Sequence, residues 1–216
     1  MSARTPSVSA AKRGTRWASF DCYGTLIDWN RGIAAVVGGE LLPHYHELEP
    51  QVQAEDPTRS YRDVMSETLR RLGAEDPEAL PRSLPSWTAF PEVRRALEET
   101  RRRGWKLVVL SNTDRDLIEA SLRTIGVPFE FAVVASEIGS YKPAPGHWRA
   151  FELEVGQLPD VHVGASYFHD IAPATALGLR TIWINREHEQ AGPPPPTREL
   201  PDLARLPQTL DELVPE

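Results

Sequence analysis

Phe20-Asp21-Cys22-Tyr23-Gly24-Thr25-Leu26-Ile27-Asp28 sets an aspartate where an apolar run ends and a glycine turn begins. The preceding residues, Trp17-Ala18-Ser19-Phe20, read as a short buried strand. A carboxylate buried at the end of such a strand without partners costs several kcal/mol, roughly. Asp21 therefore needs partners from elsewhere in the chain, and the order in which candidates follow it decides the fold.

Four more apolar, β-branched runs follow the first, 16–21: they are 106–112, 131–136, 161–166 and 180–186. Helical patterns lie between the later ones. Val93, Ala96 and Leu97 precede the second run; Leu117, Ile118, Ser121, Leu122 and Ile125 follow it; Trp148, Phe151 and Leu153 follow the third. Alternating strand and helix predict an α/β fold with a parallel sheet covered on both faces. The stretch 32–90 has no convincing strand and holds two long helical patterns, 33–49 and 58–72, so it reads as a helical insertion after the first strand. The core is then 16–31 with 91–216. Pro81, Pro85 and Pro91 mark the return to it, Pro193–Pro196 reads as a surface loop, and a last short helix is expected at 210–214.

The chain has 216 residues, enough for one sizeable core with a smaller insertion. It is 40% hydrophobic and 25% charged, and no apolar run nears the roughly 20 residues of a membrane helix. The net charge of −7 argues against a nucleic-acid partner, which requires a basic surface. One cysteine, Cys22, leaves no internal disulfide, and no apolar signal core stands at the N-terminus, so a cytoplasmic location without a membrane partner is expected. Residues 1–15, small, polar and basic, read as a disordered leader.

In a parallel sheet of this kind, ligands bind beyond the carboxyl ends of the strands. Asp21, Ser111 and Asn112, Lys142, and Asp170 all follow predicted strands. Two carboxylates, an ammonium and a hydroxyl-amide pair converging on one crevice form a chemical constellation. An ammonium beside a buried carboxylate favours its charged, nucleophilic form against desolvation.

Four pieces in this order, Asp21-Cys-Tyr-Gly-Thr25, Leu110-Ser111-Asn112-Thr113, Tyr141-Lys142-Pro143 and Gly164-Ala-Ser-Tyr-Phe-His-Asp170, resemble the motifs of the haloacid dehalogenase (HAD) superfamily over residues 17–186. The phrase around Asp21 and the closing Trp183-Ile184-Asn185-Arg186 are most similar to L-2-haloacid dehalogenases. The resemblance implies a Rossmann-like core with a small helical cap at 32–90. It implies a hydrolase that displaces halide from a small carboxylic acid through an ester on Asp21. By resemblance Asp21 is the nucleophile, Thr25 orients it, Lys142 holds it ionised, Asp170 supports Lys142 or the hydrolytic water, and Ser111 and Asn112 bind the substrate carboxylate. Cys22, Tyr23, Tyr45, Trp148, Tyr167 and His169 complete the expected substrate pocket. No cofactor is expected, weak magnesium binding at Asp21 and Asp170 is allowed, and relatives suggest a homodimer.

The chain departs from the superfamily it resembles in instructive places. Phosphatases carry a second aspartate two residues after the nucleophile as general acid, and Tyr23 stands there. Their magnesium-ligating aspartate is replaced by Ala165. The dehalogenases' cap arginine, which receives the halide, is missing, with Tyr45, His44 or His46 in its register; Trp148, Ala165 and Tyr167 replace a tyrosine, a serine and an asparagine. His44 and His46 cannot share a helix face.

Plainer readings compete at each position: Asp170 as a helix cap, Lys142 as a solvated loop residue, Cys22 as a small core residue, and Trp29, Trp87 and Tyr61 as packing. A phosphatase with an altered metal site and a non-catalytic binding module are the alternative functions. The first requires magnesium-dependent phosphate release, and the second requires binding without turnover.

Overall fold

The structure, a computed structural model, describes residues 14–215. The leader expectation falls almost wholly on residues outside these. Six strands, β1 (Arg16–Phe20), β2 (Trp105–Ser111), β3 (Phe131–Val134), β4 (Val161–Gly164), β5 (Arg180–Ile184) and β6 (Arg198–Leu200), form one sheet in the order β3-β2-β1-β4-β5-β6. Every pairing is parallel. The chain adds strands to one side of β1 and then crosses to the other, so the switch in strand order lies at the end of β1, beside Asp21.

The first five strands fall on the expected runs but stop a residue or two earlier, where the polar site residues begin. Strand β6 was not expected. Its three residues, Arg-Glu-Leu, have no apolar run to reveal an edge strand.

Helices α5 (Val93–Arg102), α6 (Arg115–Ile125) and α10 (Leu206–Leu213) put Leu97, Leu117, Ile118 and Leu210 against one sheet face with Ala18, Phe20 and Val109. On the other face, α8 (Gly146–Val155) and α9 (Ala172–Ala176) bring Trp148, Phe151 and Ala174 against Val108 and Leu110, with the short α7 (Ala135–Ile138) following β3. Strands buried on both faces explain their unbroken apolar runs. Helix α10 starts earlier than expected because Leu206 and Leu210, one turn apart, both bury.

Between β1 and β2 come α1 (Trp29–Val37), α2 (Leu42–Glu55), α3 (Tyr61–Arg71) and α4 (Ala79–Ser83). The expected helix 33–49 is in fact two. Gly38, at a φ of +84°, ends α1, and α2 continues past Pro50 to Glu55. Helix α1 opens at Trp29, capped by Asp28 Oδ1, which accepts from Arg31 N at 3.1 Å. The chain leaves and returns side by side: Ile27 faces Ala89 in an antiparallel bridge, Asp28 N donates to Thr88 O (2.9 Å), and Phe90 N to Leu26 O (3.1 Å). Asp114, on the core, caps α3 by accepting from Tyr61 N (2.9 Å) and Arg62 N (3.0 Å). The insertion is therefore tied to the strand ends at both its root and its third helix.

Candidate active site

Asp21 ends β1 facing a cavity of about 800 Å³ between the strand ends and helices α1–α3. Gly24, at a φ of +88°, turns the chain back so that Thr25 Oγ1 donates to Asp21 Oδ2 at 2.8 Å, while Ala165 N donates to Thr25 Oγ1 at 2.9 Å. The motif thus closes on itself and on the loop after β4.

Lys142 is fully buried, and its ammonium has three acceptors: Asp21 Oδ1 at 2.9 Å, Asp170 Oδ1 at 2.6 Å and Leu110 O at 2.8 Å. Its backbone is held by Asn112: Lys142 N donates to Asn112 Oδ1 (2.6 Å) and Asn112 Nδ2 to Lys142 O (2.9 Å). Asp170 lies against Gly164, where a Cβ would stand 2.5 Å from that of Asp170, so only glycine lets the carboxylate approach β4. His162, within β4, reaches Asp170 Oδ1 with Nε2 at 3.3 Å and Ser19 Oγ with Nδ1 at 2.8 Å. Burial lowers the pKa of His162, so the imidazole is neutral, and the network assigns its proton to Nε2.

One ammonium shared by two buried carboxylates cannot neutralise both. Burial pushes the Asp21 carboxyl up to about 6, Lys142 opposing and the charge of Asp170 adding to the rise. Asp170, with the shorter contact and His162 behind it, goes the other way: Lys142 holds it well below the ordinary range despite its burial. The Lys142 pKa is raised because its two carboxylates outweigh the desolvation of its ammonium. Lys142 thus opposes the desolvation of Asp21 as the sequence reading has it, but burial outweighs it, and Asp21 is still mostly ionised at neutral pH.

Of the expected pocket residues, Asp21, Tyr23, Ser111, Asn112, Lys142, Tyr167, His169 and Asp170 line the cavity. Ser111 Oγ is buried there without a partner. Asn112 spends its amide on the Lys142 backbone. Tyr167 turns its hydroxyl away to Pro194 O (2.5 Å) and Gly192 O.

Three expected residues do not reach the cavity. Cys22 points into the core; Tyr45 is fully buried beside Trp29 on the inner face of α2; and Trp148 is fully buried edge-on to His162, at 5.2 Å between rings. In each case the apolar interior claims a side chain that the motif register had assigned to substrate. His44 is exposed, whereas His46 lines the cavity stacked on Trp29 at 4.8 Å.

The insertion contributes Trp29, Tyr61, Gln53 and Glu49 to the wall. Glu49 was not foreseen, because a lone glutamate in a helical pattern reads as solvated. The signal available was its place one turn after Tyr45 and one before Gln53, along a stripe that buries. His162 was likewise hidden as the single polar residue of an apolar strand.

The residues do not fit a magnesium ion. Lys142 Nζ bridges Asp21 and Asp170, Tyr23 and Ala165 offer no carboxylate, and no cluster of three or more potential ligands exists among the described residues.

The profile of haloacid dehalogenase-like hydrolases matches residues 15–178. An (S)-2-haloacid dehalogenase 4A of Burkholderia cepacia is 26% identical over 91% of this chain and 92% of its own. A phosphoserine phosphatase of Thermus thermophilus is 30% identical over 59% of this chain and 54% of its own, and the chain spans about half the length of the first curated relatives it matches. The L-2-haloacid dehalogenase of Xanthobacter autotrophicus with chloropropionic acid covalently bound shares the fold at a TM-score of 0.79 and 17% identity, covering 91% of this chain and 98% of that one. With its parallel sheet, its Rossmann-type strand order and a matching profile over most of its length, the chain belongs to the haloacid dehalogenase-like hydrolases.

Proposed function

We propose that this hydrolase cleaves the carbon–halogen bond of a small halogenated carboxylic acid without a metal, using Asp21 as the nucleophile. The observation that carries this reading is the array Thr25–Asp21–Lys142–Asp170, in which an ammonium rather than a cation site supports the nucleophile. An Asp21 oxygen attacks the halogen-bearing carbon, the C–O bond forms, and halide leaves with the electron pair. Water then attacks the ester carbonyl, returning the carboxylate and releasing the hydroxy acid and a proton. Lys142 stabilises the charge on Asp21 at the start and end of this cycle. The buried, unpartnered Oδ2 of Asp170 supports a role in orienting the water, and the free hydroxyl of Ser111 supports one in holding the substrate carboxylate. Helices α1–α4 act as the cap, which excludes water during the first step.

The test is halide release from fluoroacetate, chloroacetate and both enantiomers of 2-chloropropionate in the presence of a chelator. Release by the parent and none above background by Asp21→Asn is expected. Retained activity in Asp21→Asn would sink the mechanism. The phosphatase reading draws on the Thermus relative, but Tyr23 stands in place of the carboxylic general acid, and burial makes its hydroxyl a weaker acid than an ordinary tyrosine. Magnesium-dependent phosphate release would revive it.

A further inference from the structure

Glu49 is a buried carboxyl in this cavity that the proposed cycle leaves unused. It sits on α2, only 4% exposed, and lines the same cavity as Asp21. Its polar neighbours are Tyr61 and Gln53; the Tyr61 hydroxyl already accepts from Trp29 Nε1 at 3.2 Å, which leaves its own proton for Glu49. Glu49 thus has polar partners on its own helix and on α3 while lining the cavity that holds Asp21.

In-line displacement sends the leaving group away from the nucleophile, which here is from the sheet floor toward the helical wall. Among the described residues lining that cavity the lysine and the arginine are already ion-paired, Lys142 with Asp21 and Asp170, and Arg186 with Glu92 (2.7 Å). Resting on the dehalogenase reading above, we propose that Glu49 is the leaving-group donor of the site, a carboxylic acid on the helical wall that donates a hydrogen bond to the halide leaving opposite Asp21. Among halides this selects fluoride, the most basic. As the Asp21 oxygen bonds to carbon and the C–F bond breaks, the electron pair stays with fluoride, which accepts a hydrogen bond from the Glu49 carboxylic acid. Fluoride departs as the anion, and the proton stays with Glu49.

The electrostatics agree with the geometry. Burial pushes the Glu49 carboxyl up to about 7, Tyr61 and Gln53 opposing, while Asp21 lies lower. A carboxyl raised in this way keeps a proton to donate up to about neutral pH. The other titratable groups around Glu49 are Tyr45 and His46 on its own helix, Tyr61 on α3 and Tyr141 from the loop before Lys142. Burial keeps all three phenols protonated and lowers His46, which Glu187 partly offsets.

Fluoride binding to the whole protein, followed by calorimetry between about pH 5.5 and 8.5, tests this without requiring turnover. In the parent and in His46→Asn, affinity should fall about tenfold per pH unit above about pH 7. In Glu49→Gln it should be weak and flat. In parallel, Glu49→Gln should lose about 100-fold in kcat/KM on fluoroacetate and change little on bromoacetate. No fluoride binding, pH-independent binding, a pH dependence that survives in Glu49→Gln, or equal losses on both substrates would overturn the proposal. If the parent releases neither halide, the dehalogenase reading falls, and the fluoride titration still decides the role of Glu49.

Discussion

Asp21 is the side chain on which stability and activity pull apart. Its carboxyl rises from 3.8 to about 6 in the fold, so between those values the folded chain holds a proton that the unfolded chain releases. The contribution of this group to stability is therefore present at low pH and lost as pH rises through about 6. Asp170 has the opposite sign: its depressed pKa gives stability present above 3.8 and lost as the pH falls toward its folded value. Asp21→Asn should consequently be more stable than the parent by about 1–3 kcal/mol at neutral pH, a difference that denaturant melts will show vanishing toward acid. On the proposed mechanism activity needs an ionised Asp21, so kcat/KM should decline below about pH 6. A profile still flat at pH 5, roughly one unit lower, would contradict this assignment. Asp21, Lys142 and Asp170 were legible from sequence because each follows a strand. The division of one ammonium between two carboxylates was not, because it depends on contacts of 2.9 and 2.6 Å that no spacing encodes.

The elements carry these residues to one place through the ends of strands and the roots of helices. Five strands could be read because burial on both faces leaves continuous apolar runs, whereas β6, three residues at an edge, leaves none. The insertion was read as helical, but its boundaries shifted: Gly38 splits the first pattern, and Pro50 does not stop α2. Those shifts turned Tyr45 inward and brought Glu49 and His46 to the cavity, which explains why the helical wall was the least legible part of the site. Asp114 is the buried link between wall and floor, its carboxylate capping α3. Asp114→Ala should cost about 1–2 kcal/mol in unfolding free energy. It should also raise KM more than it lowers kcat, since it loosens the helices around the substrate without touching Asp21. A variant that melts like the parent with unchanged KM would show that the insertion is held by its other contacts.

For the molecule as a whole, charge sets the terms on which a substrate arrives. The chain carries a net −7, and the cavity adds Asp28, Glu187 and Glu189 near its rim to the carboxyls inside it. Lys142 and Arg186, the lining lysine and arginine, are both ion-paired. A small carboxylate must therefore enter against the field, and kcat/KM for an anionic substrate should rise a few-fold, roughly, when ionic strength goes from about 0.01 to 0.15 M. Stopped-time assays of chloroacetate over a salt series would check this; a fall with salt would mean that an attractive patch steers the substrate. The most direct test of the account is a single turnover, enzyme in excess over chloroacetate, in water enriched in heavy oxygen. If Asp21 forms the ester, the label enters the Asp21 carboxylate, found by mass spectrometry of its peptide, and the product hydroxyl carries ordinary oxygen. Label in the product hydroxyl with none in Asp21 would mean that water attacks carbon directly, and would contradict the nucleophile on which the account rests.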